Sequence, residues 1–517
     1  LRFIAVSQVP SVLLVHPPVS RPCEPPAGVA KLAGALARHR VDCKVFDANL
    51  YCLFSLLGQE PDLTDTWNRR AWTNLPGHLR SIRELYTYRN PDRYSRAVRD
   101  ISRLLDAAGR AGSSRITLAN YSHEELSPLR SHDLLKEADH PEKNPFFSSF
   151  SLGFSEIFED DHPTVVGFSL NYLAQALTCF SMIGHLRKLY NRLTIVLGGG
   201  LVTSWMSRPG WSNPFGGLVD EMVCGPGEER LLEACNAGSF SVEGQPDYTW
   251  ALNCNYLSPG FILPYSASTG CYWRRCAFCP EKAEKNPYRP VSDARVITEL
   301  QGIVKDTAAS LIHFLDNTMS PTLLNKLAEG PPLAPWYGFV RVSDLLGDRD
   351  FAFSLRNSGC VMLKIGLESG DQDVLDKLDK GIDLAVASRV IKALHGAGIA
   401  TYIYLLFGTP PEREESAFKT LEYTAAHSDY IDFLNLAIFN MPAWGSDAEI
   451  YETRDFYDGD LILYKDFVHP LGWDRSKVRR FVDKVFRRHP AVGDILRKDA
   501  PVFTSNHAPF FCIARHI

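Results

Sequence analysis

Short apolar runs, each stopping at a glycine, a proline or a polar residue, constrain this chain more than any other feature. They come in two series. The first holds Ser11 to Val15, closing on His16-Pro17-Pro18, and Cys43 to Phe46, closing on Asp47 and Asn49. It continues with Thr164 to Ser169, with Leu193 to Leu197 followed by Gly198-Gly199-Gly200, and with Asp220 to Val223 followed by Gly225-Pro226-Gly227-Glu228. Runs this short and this apolar suit buried parallel strands. Behind Gly28, the residues Val29, Leu32, Ala33 and Leu36 recur at helical spacing, and a second helix is expected to end at Leu189. The β-α-β pattern predicts a doubly wound, Rossmann-like α/β domain over residues 1–250, with its ligand edge at the carboxyl ends of the strands. Glycines at Gly198, Gly199, Gly200 and Gly225 would let a ligand approach that edge closely.

The second series predicts a partial (β/α)6 barrel over residues 251–442. Its strands are expected at Phe261 to Ser266, Leu311 to Leu315, Trp336 to Val340, Val361 to Ile365, Thr401 to Phe407 and Phe433 to Ile438. Polar residues follow them: Asp316-Asn317, Arg341 and Ser343, Gly366-Leu367-Glu368-Ser369, Gly408-Thr409-Pro410 and Asn440-Met441-Pro442. In parallel barrels the ligand face is that end of the strands. Asp316, Tyr404 and Asn435 are candidates to face a substrate there.

Immediately after the first barrel strand comes Ser266 to Glu281, SASTGCYWRRCAFCPE, with Cys271, Cys276 and Cys279 in a C-x4-C-x2-C run. Three thiols in so few residues exceed what core packing explains. Thiolates are soft ligands suited to zinc or iron–sulfur clusters. Structural zinc normally takes four protein ligands, often as two separated pairs, and no second C-x2-C pair exists in this sequence. A [4Fe–4S] cluster on three cysteines leaves one iron open for a cofactor or substrate. A zinc knuckle lacking its fourth ligand and three reduced structural thiols stay open as alternatives.

Cys271, Cys276, Phe278 and Cys279 resemble the signature loop of the radical S-adenosylmethionine (SAM) superfamily, with one extra residue within the Tyr272 to Arg275 insert. The resemblance implies that the three cysteines hold a [4Fe–4S] cluster and act as the catalytic centre. The segments Gly366 to Ser369 and Phe407 to Pro410 resemble the family's SAM-binding segments. That likeness implies that Glu368 meets the ribose, Gly408 the adenine, and Arg341 or Ser343 the SAM carboxylate. The ordered elements at Pro17, Ser169, Gly198 to Gly200 and Gly225 resemble the cobalamin-binding domain fused to many radical SAM enzymes. They imply cobalamin against the first sheet. The D-x-H-x-x-G motif that supplies a cobalt-ligating histidine is missing. Asp160-Asp161-His162 lacks the glycine and precedes a strand, and His16 reads as a loop histidine. The implied activity is C-methylation of an unactivated carbon, in a peptide or natural-product precursor, through a 5′-deoxyadenosyl radical, with a second SAM restoring the methyl group. Cyclisation, rearrangement or dehydrogenation without methyl transfer is the alternative, and a non-catalytic iron–sulfur protein is a second. A flavodoxin or ferredoxin would supply electrons.

The remaining features bound this reading. The net charge of −5 over 517 residues gives no general attraction to nucleic acid or acidic membranes. Cysteines spread thinly along a long chain suit a reducing cytoplasm. Gln8, Pro10 and Pro17 interrupt the first apolar residues, so no signal peptide is expected, and no apolar run reaches membrane-spanning length. Residues 51–160 are expected to be an insertion of helices and loops. One of its helices begins at Pro91 with Asn90 as N-cap and Val98, Ile101, Leu104 and Leu105 on one side. Residues 443–517 are expected to form a small C-terminal unit. It carries a basic helix, Ser476 to Arg488, that either faces solvent over the barrel or contacts an acidic substrate, and Cys512 reads as a buried thiol.

Overall fold

The computed structural model describes residues 11–235, 244–498 and 502–515. The expectations resting on Gln8 and Pro10 lie outside them. The chain divides into two compact units. One comprises residues 1–81, 96–257 and 457–462, and the other residues 82–95, 258–456 and 463–517.

The first unit is built on a parallel five-stranded sheet. Its strands are β1 (Val12–Val15), β2 (Cys43–Phe46), β3 (Val165–Ser169), β4 (Thr194–Gly198) and β5 (Glu221–Met222), in the order β2-β1-β3-β4-β5. The order reverses at β1 and β3, which marks the switch point of a doubly wound sheet. Side chains alternate across the strands. Val12 and Leu14 of β1, Val165 of β3 and Val196 of β4 pack with Val29, Ala33 and Leu36 of helix α1 (Ala27–Arg38). Fully burying a side chain of this size contributes about 1.5–3 kcal/mol, so this apolar face fixes the register of sheet and helix together. Helix α2 spans Leu173–Leu189, ending where the sequence predicted.

The second unit carries a parallel six-stranded sheet. The strands are β6 (Ile262–Tyr265), β7 (Leu311–Phe314), β8 (Trp336–Val340), β9 (Cys360–Glu368), β10 (Ala400–Phe407) and β11 (Phe433–Ile438), hydrogen-bonded in chain order. Sequential order with intervening helices is the arrangement of a partial (β/α) barrel.

Two expectations about the flanking segments change. Residues 443–517 do not form a body of their own, because apolar contacts tie them to the barrel. In the helix Arg475–Lys484, Phe481 packs on Phe407 and Phe418, and Phe486 beyond the helix also packs on Phe407. Residues 457–462 group instead with the first unit. The insertion is likewise divided. Asn90 does accept the Arg93 N–H at 3.0 Å to start the helix Pro91–Gly109, and Val98, Ile101, Leu104 and Leu105 are buried. Residues 82–95, however, belong to the second unit, where Tyr88 and Tyr94 pack against His507 and Phe511. Cys512 is buried beside them, as expected. No helix among the described residues is long and apolar enough to cross a membrane.

Candidate functional site

The cysteine loop leaves the carboxyl end of β6 through a closed neck. Ser268–Thr269 pair antiparallel with Arg289–Pro290, so the chain departs and returns at one place. Asp316, just past β7, pins that neck by accepting from the Ala267 N–H at 3.0 Å and the Ser268 hydroxyl at 2.5 Å. Burial pushes its carboxyl up to about 6. Asp316 is thus committed to holding the loop in place, a different role from the substrate contact expected of it.

Within the loop, Cys271, Cys276 and Cys279 are all half-buried. Cys279 stands at the N-cap position of the short helix Pro280–Ala283. Burial pushes its thiol up to about 11, against the lowering effect of the Glu281 and Lys282 backbone N–H groups. Burial also raises Cys276, opposed by the charges of Lys380 and Arg341. Among the described residues, no three His, Cys, Asp or Glu side chains converge on a point that would hold one metal ion.

The same strand ends bring Glu368, Arg341, Ser343 and Gly408 to one edge. Glu368 ends β9 with φ of 68°, next to a register shift between Gly366 and Glu368. A positive φ is uncommon for a residue with a side chain, and such backbone is found where a functional group must be aimed. Its carboxylate accepts from Lys380 Nζ at 2.8 Å, with both side chains largely buried. Arg341 is committed within the chain: its Nη2 donates to the Lys380 carbonyl at 2.7 Å and to the Gly381 carbonyl at 3.2 Å. Ser343 precedes the short helix Asp344–Gly347 and makes no capping bond with its hydroxyl. Tyr404 packs edge-on against Phe339.

Gly408 follows β10 with φ of 79°, and its N–H donates to the Glu412 carboxyl. Trp473 Nε1 donates to the same carboxyl at 3.0 Å, and burial pushes that group up to about 8. Val478 of the Arg475–Lys484 helix covers Gly408. The buried side of this basic helix therefore lies on the strand end, while Arg479 and Arg480 are exposed. Trp473 escaped the sequence reading because it reaches Glu412 from 61 positions away. Glu412 and Lys380 act closer at hand, on Gly408 and Glu368, and only the Pro411-Glu412 pair following the glycine turn hinted at one of them.

The edge of the first sheet is of another kind. Neutral amides and hydroxyls knit it together. Gln175 Nε2 donates to the Pro17 carbonyl at 2.7 Å, and Gln175 Oε1 accepts from the Asn171 and Tyr172 N–H groups. Asn171 Nδ2 donates to the Ser169 hydroxyl at 3.0 Å, and Asn171 Oδ1 accepts the Gly200 N–H at 2.9 Å. Thr203 accepts the Gly225 N–H at 2.9 Å. Gly199, with φ of 113°, is required by close packing: a side chain there would overlap the Leu170 carbonyl. Ligand access was the role expected of it. Gly225 does open outward, with nothing within 4 Å of where a side chain would begin. His16 is buried at the end of β1, its Nε2 bonded to Ser20 Oγ at 2.7 Å. Its Nδ1 has no hydrogen-bond partner. Burial lowers its pKa, against the raising effect of Asp47, so the ring stays neutral. His162 lies before β3, at the opposite end of the strand from Ser169.

Known proteins match this arrangement. Residues 265–423 match the radical SAM superfamily, so the chain carries a radical SAM domain. It is 25% identical over 206 residues to the anaerobic magnesium-protoporphyrin IX monomethyl ester cyclase of Cereibacter sphaeroides, spanning 38% of this chain and 33% of that one. It is 26% identical over 206 residues to the bacteriochlorophyllide d C-12(1)-methyltransferase of Chlorobaculum tepidum, spanning 38% of this chain and 44% of that one. The matches thus span less than half the length of these curated relatives. Among solved structures, the fold is shared with TsrM from Kitasatospora setae, a radical SAM methyltransferase with cobalamin and a [4Fe–4S] cluster bound. The TM-score is 0.52 at 16% identity, over 84% of this chain and 76% of that one. It is shared also with the cobalamin-dependent radical SAM enzyme OxsB, with a TM-score of 0.51 at 12% identity over 83% of this chain and 53% of that one. The α/β fold, a doubly wound sheet and a radical SAM barrel in one chain, is therefore the fold of these two structures.

Proposed function

We propose that this chain is a cobalamin-dependent radical SAM enzyme that methylates an unactivated carbon of a small-molecule or peptide substrate. The observation that carries the reading is the three-cysteine loop rooted at the carboxyl end of the first barrel strand, on the edge that also presents Glu368 and Gly408. Cys271, Cys276 and Cys279 would hold a [4Fe–4S] cluster. Each cluster ligand takes a different iron, so the thiols need not converge on one point. The half-buried, electropositive surroundings of Cys276, with Lys380 and Arg341 nearby, suit thiolates once metal displaces their protons. Glu368 would accept hydrogen bonds from the SAM ribose on the carboxylate oxygen away from Lys380. Phe278, the backbone at Gly408 and the Ser343 hydroxyl complete the SAM candidates. With Arg341 committed to two carbonyls, Ser343 is the better of the two candidates for the SAM carboxylate.

In the first unit, Pro17, Ser169, Gly200 and Gly225 would line the cobalamin edge, with Gly198 and Gly199 shaping its backbone. The open backbone at Gly225 and the orphaned Nδ1 of His16 fit a polar ligand there. When bound, these cofactors supply a hydrogen-abstracting 5′-deoxyadenosyl radical and a transferable methyl group. The protein's part is to hold the loop through Asp316, to aim Glu368, and to keep His16 neutral. A cytoplasmic setting and a flavodoxin or ferredoxin as electron donor belong to the same proposal. The test is anaerobic reconstitution followed by product mass. A gain of one methylene unit on a substrate supports methyl transfer. SAM cleavage without that gain moves the reading to cyclisation, rearrangement or dehydrogenation, and a cluster that never cleaves SAM leaves a binding protein.

A further inference from the structure

The insert that lengthens the cysteine run has a receptor of its own. Residues 378–381 follow the helix Gln372–Lys377, and every one of them meets the cysteine loop or Arg341. The Leu378 carbonyl accepts the Ala277 N–H at 2.9 Å. The Asp379 carbonyl accepts Trp273 Nε1 at 3.2 Å, and the Asp379 carboxylate takes Arg275 on both oxygens, at 3.1 and 3.0 Å. The Lys380 and Gly381 carbonyls hold Arg341, whose guanidinium lies 3.8 Å from the centre of the Trp273 ring. Gly381 has φ of 62°, and any side chain there would overlap that ring. Trp273 is thus seated between a backbone groove and a cation.

We propose that Trp273 and the Leu378–Gly381 turn form a latch that shapes the cysteine loop before any metal arrives. Nearly all of the loop between its neck and Pro280 lacks regular structure. Ordering such a segment at the moment of metal binding would cost conformational entropy. A latch that orders it beforehand removes that cost from the binding step. The extra residue of the C-x4-C spacing then has a purpose, since the longer insert carries the tryptophan to its groove. Trp273, Asp379 and Gly381 are positioning residues. The inference rests on the cluster reading only for its consequence; the contacts that make the latch are between protein groups alone.

The test is hydrogen exchange on the full chain in metal-free form, followed by anaerobic reconstitution with iron and sulfide. Trp273→Ala is expected to speed exchange of the Ala277 amide roughly ten- to thirtyfold, the range a desolvated cation–π contact supports. The reconstituted variant should lose iron to a chelator faster than the wild type by a similar factor. Trp273→Phe keeps an aromatic ring for Arg341 to stack on and should restore most of both properties. Wild-type exchange at Ala277 in Trp273→Ala overturns the latch. If exchange in β10 shows that this variant has unfolded, Arg275→Gln decides. It removes both the Asp379 pair and the guanidinium that lies 5.0 Å from the centre of the Trp273 ring, and wild-type exchange at Ala277 in that variant overturns the proposal too. A wild-type protein that binds no iron would instead sink the cluster reading, and the exchange data would still judge the latch.

Discussion

The two strand edges of this protein are made of different chemistry. The barrel edge carries ionisable groups in partly or wholly buried places: Asp316, Glu368 with Lys380, and Glu412. The edge of the five-stranded sheet is held chiefly by Gln175, Asn171, Ser169 and Thr203, with a histidine whose pKa burial lowers and two buried carboxylates, Asp47 and Glu228, each already partnered, by Tyr256 and Lys31. Buried charges are costly unless paired or protonated, so a fold keeps them where a reaction needs charge or a fixed carboxylate. Neutral amides hold backbone shape with far less desolvation cost. Under the proposed function, the barrel edge carries the reactive chemistry and the other edge recognises its cofactor chiefly by shape.

The largest effect expected at the barrel edge is loss of the metal centre. The triple variant Cys271→Ala, Cys276→Ala, Cys279→Ala should show no iron–sulfur absorbance after anaerobic reconstitution. Retention of about four irons per chain, the full complement of such a cluster, would remove the loop from its role. Glu412 should give the next largest effect. Burial favours its neutral form, so the folded protein keeps this proton from the ordinary value of 4.5 up to about 8, whereas the unfolded chain releases it early in that window. The folded state then binds more protons across the window, and stability falls as pH rises from about 4.5 to about 8. At about 1.4 kcal/mol per pKa unit, the loss reaches on the order of 5 kcal/mol. Glu412→Gln should match the wild type near pH 5 and surpass it near pH 9 in melting temperature; parallel melting curves for the two proteins would show that the group titrates normally.

Glu368 offers a smaller effect. A hydrogen bond to a charged group is worth about 1.5–3 kcal/mol, so Glu368→Ala should weaken SAM binding roughly ten- to a hundredfold with iron content intact. Calorimetric titration that finds unchanged affinity in a folded variant would leave Glu368 a structural partner of Lys380 alone. The contrast between the edges would then rest on Asp316 and Glu412.

Much of this was legible in the sequence because strands with apolar sides and glycine or polar ends announce themselves locally. β2, β8 and β11 match their expected spans residue for residue, and the Asn90 cap forms as expected. What stayed hidden depends on pairings across long separations. Nothing near Arg341 in sequence says that its guanidinium will rest on Trp273, 68 positions earlier. Nothing near Gly199 distinguishes a glycine needed for the Leu170 carbonyl from one needed for a ligand. The packing of the tail helix on the barrel stayed hidden for the same reason. The periodicity of Val478, Phe481 and Val482 shows an apolar face, and only the fold shows that Gly408 and Phe407 lie under it.

The finest expected effect concerns the neutral edge. If shape rather than charge binds the corrin there, cobalamin should sit with its dimethylbenzimidazole displaced from cobalt and no histidine in its place. His162 is at the wrong end of β3, and His16 spends Nε2 on Ser20 inside the fold. Electron paramagnetic resonance of the cob(II)alamin state reads this directly, since an axial nitrogen splits each cobalt line and an oxygen or an empty position does not. Unsplit lines are expected. Split lines would overturn this expectation, and His16→Phe then tells the two nitrogens apart: loss of the splitting assigns it to His16, whose Nδ1 is unbonded, and its persistence to dimethylbenzimidazole still on cobalt. A folded protein that binds no cobalamin in excess cofactor would reduce the first edge to a scaffold and leave the radical chemistry without methyl transfer.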